Sequence, residues 1–297
     1  MQKVFSLIVL FIFLGLSQAF AQDKKFSSTD LGSQEPQLDS LRAYELKLKA
    51  LGDSMIDGKF QAARINAVVK FIPLLVKTLR YKGSFDYPFD SLPYVKKLTP
   101  NDRAFRMYNW TLKYDDGSYR YYCAIHMNRT DSFKLIPLRD YREKMDTTFE
   151  NVLLDANQWL GAMYYSVIAN KIKNKTYYTL LGWDGNQYAS DKKIIEVLSF
   201  EKGKPKFGAP IFEVNGKTKM RIIFEFSGNA TMLLQYIPEH NMITFDHMVP
   251  PNPGGEGFLY TYVPDGTYDY FVYKKGKWVW TDDLFNTFKK KIDEAGE

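Results

Sequence analysis

Cysteine, histidine and long apolar runs are scarce in this chain, and each scarcity excludes something. A single cysteine, Cys123, among 297 residues rules out an internal disulfide framework. Three histidines, His126, His240 and His247, leave little material for a metal centre. Cys123 and His126 have ligand-like spacing, but three residues apart on a strand they point to opposite faces. Also missing are a His-Glu-x-x-His pair, a Gly-x-Ser-x-Gly elbow, a phosphate loop ending in Gly-Lys-Ser/Thr and a Cys-x-x-Cys pair. No cofactor and no metal are therefore expected, and no motif fixes a reaction. Downstream of residue 21 no apolar run approaches the roughly 20 residues of a membrane-spanning helix, so no transmembrane segment is expected in the mature chain.

What is present describes a folding, exported chain. Lys3 supplies a positive start, Val4 to Leu16 is almost wholly apolar, and Ala19-Phe20-Ala21 offers the small residues a signal peptidase accepts. Residues 1–21 read as a signal peptide cut before Gln22, which predicts a periplasmic or secreted protein. Its loss removes one cation, so the balance of 40 Lys and Arg against 34 Asp and Glu stays mildly basic. The cations are scattered apart from Lys289-Lys290-Lys291, which argues against nucleic acid as a partner and leaves an envelope polymer, a glycan or a protein. A chain of this length can bury about three-quarters of its unfolded surface and does not need disulfides. The aromatic share is 16%, and flat rings favour pleated, half-buried strands.

Along the chain, residues 22–36 are polar and read as a flexible leader. Leu41, Tyr44, Leu48, Leu51 and Met55 recur at steps of three and four, which predicts a helix over 37–56. Phe60, Ala63, Ala67, Phe71, Leu75 and Leu79 predict a second, which Pro73 should kink or restart. From residue 81 the pattern becomes short apolar or alternating runs, with strands expected near 103–113, 118–127, 133–136, 162–171, 176–182, 193–199, 209–213, 220–227, 230–237, 242–246, 257–263, 268–273 and 276–281. Asp116-Gly117, Asp184-Gly185, Asp265-Gly266 and Lys275-Gly276 supply tight turns and hence antiparallel neighbours. The expected fold is mainly β of the α+β kind: a large antiparallel sheet, sandwich or barrel-like domain over 81–297, with a helical hairpin over 37–80 packed on it.

Three stretches, Ser84-Phe85-Asp86-Tyr87-Pro88-Phe89-Asp90-Ser91-Leu92, Phe105-Arg106-Met107-Tyr108-Asn109-Trp110 and Tyr177-Tyr178-Thr179-Leu180-Leu181-Gly182-Trp183-Asp184-Gly185-Asn186, together resemble a group of uncharacterised exported β-rich proteins of Bacteroidota. The resemblance implies export and a shared fold; it carries no activity onto any residue.

Three local features could bear function. Asp246 and His247 run into Val249-Pro250-Pro251-Asn252-Pro253-Gly254-Gly255-Glu256, a Pro/Gly loop of the kind that carries sites on rigid scaffolds. An imidazole beside a carboxylate can act as a base, with Glu256 as a second acid. The alternative is that both satisfy a strand exit, since adjacent strand residues face opposite ways unless a bulge intervenes. Gly182-Trp183-Asp184-Gly185 could stack Trp183 on a sugar and use Asp184 on its hydroxyls, or could be an ordinary turn. The pairs Tyr260/Tyr262, Tyr268/Tyr270, Phe271/Tyr273 and Trp278/Trp280 would form a stacking platform if exposed, with Tyr260 and Trp280 as contacts, or cross-strand core pairs if buried. Two functions follow: a non-catalytic binding protein of the envelope, or a glycan hydrolase whose carboxylates, Asp184, Asp246 and Glu256, must lie roughly 5 to 9.5 Å apart.

Overall fold

The structure is a computed structural model and describes residues 34–144, 149–185 and 189–281. The signal peptide and residues 22–33 of the leader lie outside the described residues. Two compact units divide at Tyr94/Val95.

The first unit opens with α1 (Gln34–Asp57) and α2 (Gln61–Leu79), which pack on each other. Their predicted stripes are largely the buried ones: Leu41, Leu48 and Met55 on α1, and Ala67, Phe71, Leu75 and Leu79 on α2. Phe60 and Ala63 are exposed, because the helix begins only at Gln61 and its first turn faces water. Pro73 does not restart α2; it and Val69, whose carbonyl loses its partner, both lie on the exposed side, where water can replace the bond. Residues 81–94 form turns instead of strands and stay with the helices. The reason is buried Glu45 on α1, whose carboxylate accepts the Tyr87 hydroxyl at 2.5 Å and the Ser91 amide at 2.7 Å. The β-rich unit thus starts at Val95 and not at residue 81.

In the second unit the chain makes β1 (Lys96–Leu98), β2 (Phe105–Lys113), β3 (Tyr119–Met127), β4 (Leu135–Leu138), β5 (Leu154–Asp155), β6 (Met163–Ile172), β7 (Lys175–Asp184), β8 (Ser190–Glu201) and β9 (Lys204–Phe207). It continues with β10 (Phe212–Val214), β11 (Lys217–Lys219), β12 (Ile222–Ser227), β13 (Leu234–Ile237), β14 (Met242–Val249), β15 (Val263–Lys274) and β16 (Lys277–Thr281). Three sheets result, ordered β1-β2-β3-β4, β5-β9-β8-β7-β6 with β12 also on β8, and β11-β10-β16-β15-β14-β13. Among the described residues strand pairing in these sheets is antiparallel except between β10 and β16, and none of the three sheets closes into a barrel. Among the described residues no helix is long and apolar enough to cross a membrane.

Alternation along the middle sheet explains how the sheets stack. Leu180 and Ile194 point into a core shared with Phe105, Met107, Tyr121 and Cys123 of the first sheet. Their neighbours Leu181 and Ile195 point into a core shared with Phe245, Phe271 and Trp278 of the third. The middle sheet is therefore buried on both faces, which is why β7 and β8 read as nearly continuous apolar runs. Cys123 is a buried member of the first core, and burial pushes its thiol far up, so it behaves as a small hydrophobe.

Residues 257–263 are not a strand: Gly254 and Gly257 hold φ of 85° and 89°, and the chain coils into one tight turn over Leu259–Thr261. Asp265-Gly266 does not reverse the chain. Gly266, at φ 88°, and Asp265, whose carboxylate accepts the Thr267 amide and hydroxyl, form a bulge inside continuous β15, opposite the register shift between Asp246 and Met248 on β14.

Candidate functional site

The residues singled out from sequence do not converge. Asp184 ends β7 and is only 2% exposed. Arg142 donates to its carboxylate and to the Tyr119 carbonyl while lying 4.8 Å over the Tyr121 ring. Burial holds the Asp184 carboxyl above its usual range, with Arg142 opposing. The Tyr121 hydroxyl accepts the Gly185 amide at 2.8 Å, and a Cβ on Gly185 would come within 2.6 Å of the Trp183 and Tyr119 rings. Glycine stands there for close packing, not for a positive φ. Trp183 is half-buried, edge-on to Tyr119 at 5.2 Å, and gives its indole N–H to Asp191 at 3.2 Å. Among the described residues, Asp184 and the Trp183 indole N–H thus both have partners within this corner.

Asp246 and His247 are separated by the bulge. Asp246 accepts the Leu233 amide at 2.7 Å and returns its own amide to the Leu233 carbonyl at 3.3 Å. His247 places Nδ1 2.9 Å from buried Asp269, which orients the ring. Glu256 is exposed in the Pro/Gly loop. Tyr260, 48% exposed, borders a shallow depression of about 180 Å³ with Pro251, Asn252 and Phe258. Trp280 lies against the second core with Trp278 and Tyr273, so those pairs are core packing and not a platform. Tyr260 and Tyr262 do not share a strand face, since both fall in the coiled segment after Gly257.

A different place gathers chemistry. Where the middle and third sheets meet, a groove of about 480 Å³ is lined by Tyr165, Lys193, Met232, Leu233, Asp246 and Tyr268. A bulge between Tyr164 and Ser166 on β6 turns Tyr165 toward the third sheet, where its hydroxyl donates to the Leu234 carbonyl at 2.9 Å. Lys193 shares a β8 face with Ile195 and Val197, which are core, so its stem is half-buried and its ammonium sits 5.0 Å over the Tyr165 ring. Among the described residues no carboxylate lies within ion-pair distance of it. Burial pushes this ammonium below its ordinary range, and Asp191 only partly offsets that. Tyr268, opposite Asp246 on β15, is 40% exposed.

Sequence reasoning missed Lys193 and Tyr165. The signal for Lys193 was present: a cation two residues before Ile195 and four before Val197 in an apolar strand must lie on a core-facing side. Nothing local marks Tyr165, because the bulge that turns it is set by pairing with β7. No family model, no curated protein and no solved structure matches the chain.

Proposed function

We propose that this protein is an exported, non-catalytic binding protein that holds an envelope component in the groove between its middle and third sheets. The observation that carries the reading is the half-buried Lys193 ammonium, held over the Tyr165 ring with no carboxylate within ion-pair distance among the described residues. An unpaired cation taken partly out of water costs stability, and a ligand group that pairs with it removes that cost. Two tyrosines beside it supply amphipathic rings of the kind enriched in binding sites. The hydrolytic reading has no such support: Asp184 is sealed in its pair with Arg142 and Asp246 is engaged with Leu233. Co-sedimentation with an insoluble cell-envelope fraction tests the proposal. The wild-type chain should be retained, and a Lys193→Met, Tyr268→Ala double variant should stay in the supernatant while keeping its far-UV spectrum. Equal retention of both proteins would refute it.

A further inference from the structure

Building on that reading of the groove, we infer that its ligand is a carboxylated saccharide, a chain containing hexuronic acid or an equivalent monoanionic sugar. Three features of the lining lead there. Among the described residues Lys193 is the one cation of the lining, so one negative charge is matched. Asp246 lines the same groove; its Oδ2 is taken by the Leu233 amide, which leaves Oδ1 to accept from hydroxyls. A dianionic phosphate would meet that carboxylate with a single ammonium to offset it, whereas a monoanion rich in hydroxyl donors satisfies both groups. Tyr268 presents a half-exposed ring at the edge, where a sugar ring can lie.

A peptide fits less well. Recognition of an extended peptide draws on free main-chain groups, and at Leu233 and Leu234 the backbone lining this groove is already used. The Leu233 amide and carbonyl are bonded to Asp246, and the Leu234 carbonyl accepts the Tyr165 hydroxyl. The groove is open to solvent along Tyr268 instead of closed over a small zwitterion, and its volume of about 480 Å³ lies within the roughly 300–1,000 Å³ of ligand sites. An oligosaccharide passing through it leaves no end to be enclosed.

Calorimetry with tetragalacturonate, a neutral glucose tetramer and a dipeptide tests the inference on the full mature chain. Tetragalacturonate should bind at least about tenfold more tightly than the neutral tetramer, since a hydrogen bond to a charged group is worth about 1.5–3 kcal/mol. The affinity should fall as salt rises. Lys193→Met should abolish that preference, Lys193→Arg should keep most of it, and Tyr268→Ala should weaken both sugars. Because Lys193→Met removes a half-buried unpaired charge, its melting temperature should be equal to or above wild type, which separates lost binding from lost folding. Equal binding of the two tetramers, with Tyr268→Ala weakening both, would overturn the acidic assignment and leave the groove standing as a binding site. Preferential binding of the dipeptide would overturn the saccharide assignment. Absence of binding to every probe, together with unchanged envelope retention of the Lys193→Met, Tyr268→Ala variant, would overturn both.

Discussion

Buried polar residues set much of this molecule's behaviour, and each is held differently. Glu196 and Arg221 are both fully buried and paired at 2.9 Å, and the guanidinium also reaches the Phe149 and Phe207 carbonyls. Such a pair is costly to break from one side, because the remaining charge has no solvent. His126 on β3 is buried, and burial, with Arg106 adding to it, depresses its pKa from 6.5 to about 4. A histidine held neutral in the fold contributes stability that is complete above the unfolded value of 6.5, and this is lost as pH falls through about 4. The loss is on the order of 3 kcal/mol. His126→Gln should therefore flatten the decline in melting temperature between pH 6.5 and pH 4 relative to wild type; parallel curves would show that His126 does not titrate in that window. Asp246, Trp183 and Trp280 could be chosen from sequence as residue types, but their roles could not, because a carboxylate spent on Leu233 and an indole spent on Asp191 are decided by residues distant in the chain or in register.

At the scale of elements, what alternation and helical spacing dictate was legible, and what pairing dictates was not. The long strands from β2 to β8 and both helices follow apolar periodicity. The short strands β1, β5, β9 and β11 were missed because two to four residues carry no period, and Lys204-Pro205-Lys206-Phe207 pairs only because β8 offers an edge. The bulges on β6 and β15 escaped for the same reason: a bulge is a mismatch between two strands and cannot be read from one. A further link between elements runs through Asn109 on β2. Its amide donates to the Tyr122 carbonyl at 2.8 Å and its oxygen accepts the Tyr164 amide at 2.6 Å, so one side chain caps the start of β6 from the neighbouring sheet. Asn109→Leu keeps the bulk but orphans a buried N–H and a carbonyl, and should cost about 1–3 kcal/mol per group in chemical denaturation. A loss below 0.5 kcal/mol, which is the usual range of a neutral surface change, would mean the two strands are held without it.

For the β-rich unit as a whole, three sheets sharing two cores leave the functional question at their seams. A middle sheet buried on both faces can meet solvent only at its ends and edges, and at one such place Lys193 and Tyr165 emerge beside Asp246 of the third sheet and Leu233, which leads into it. The fold class was readable from composition and turn signals; the groove was not, because it is made by the approach of strands far apart in sequence. Hydrogen exchange with and without bound tetragalacturonate locates the ligand on the chain. Slowing should be concentrated at residues 163–167, 190–195 and 231–235, the three segments that meet at Tyr165, Lys193 and Leu233, with little change around Gly185 or in the loop of Glu256 and Tyr260. Slowing confined to that loop or to the Asp184 corner, with the seam unchanged, would contradict the groove assignment.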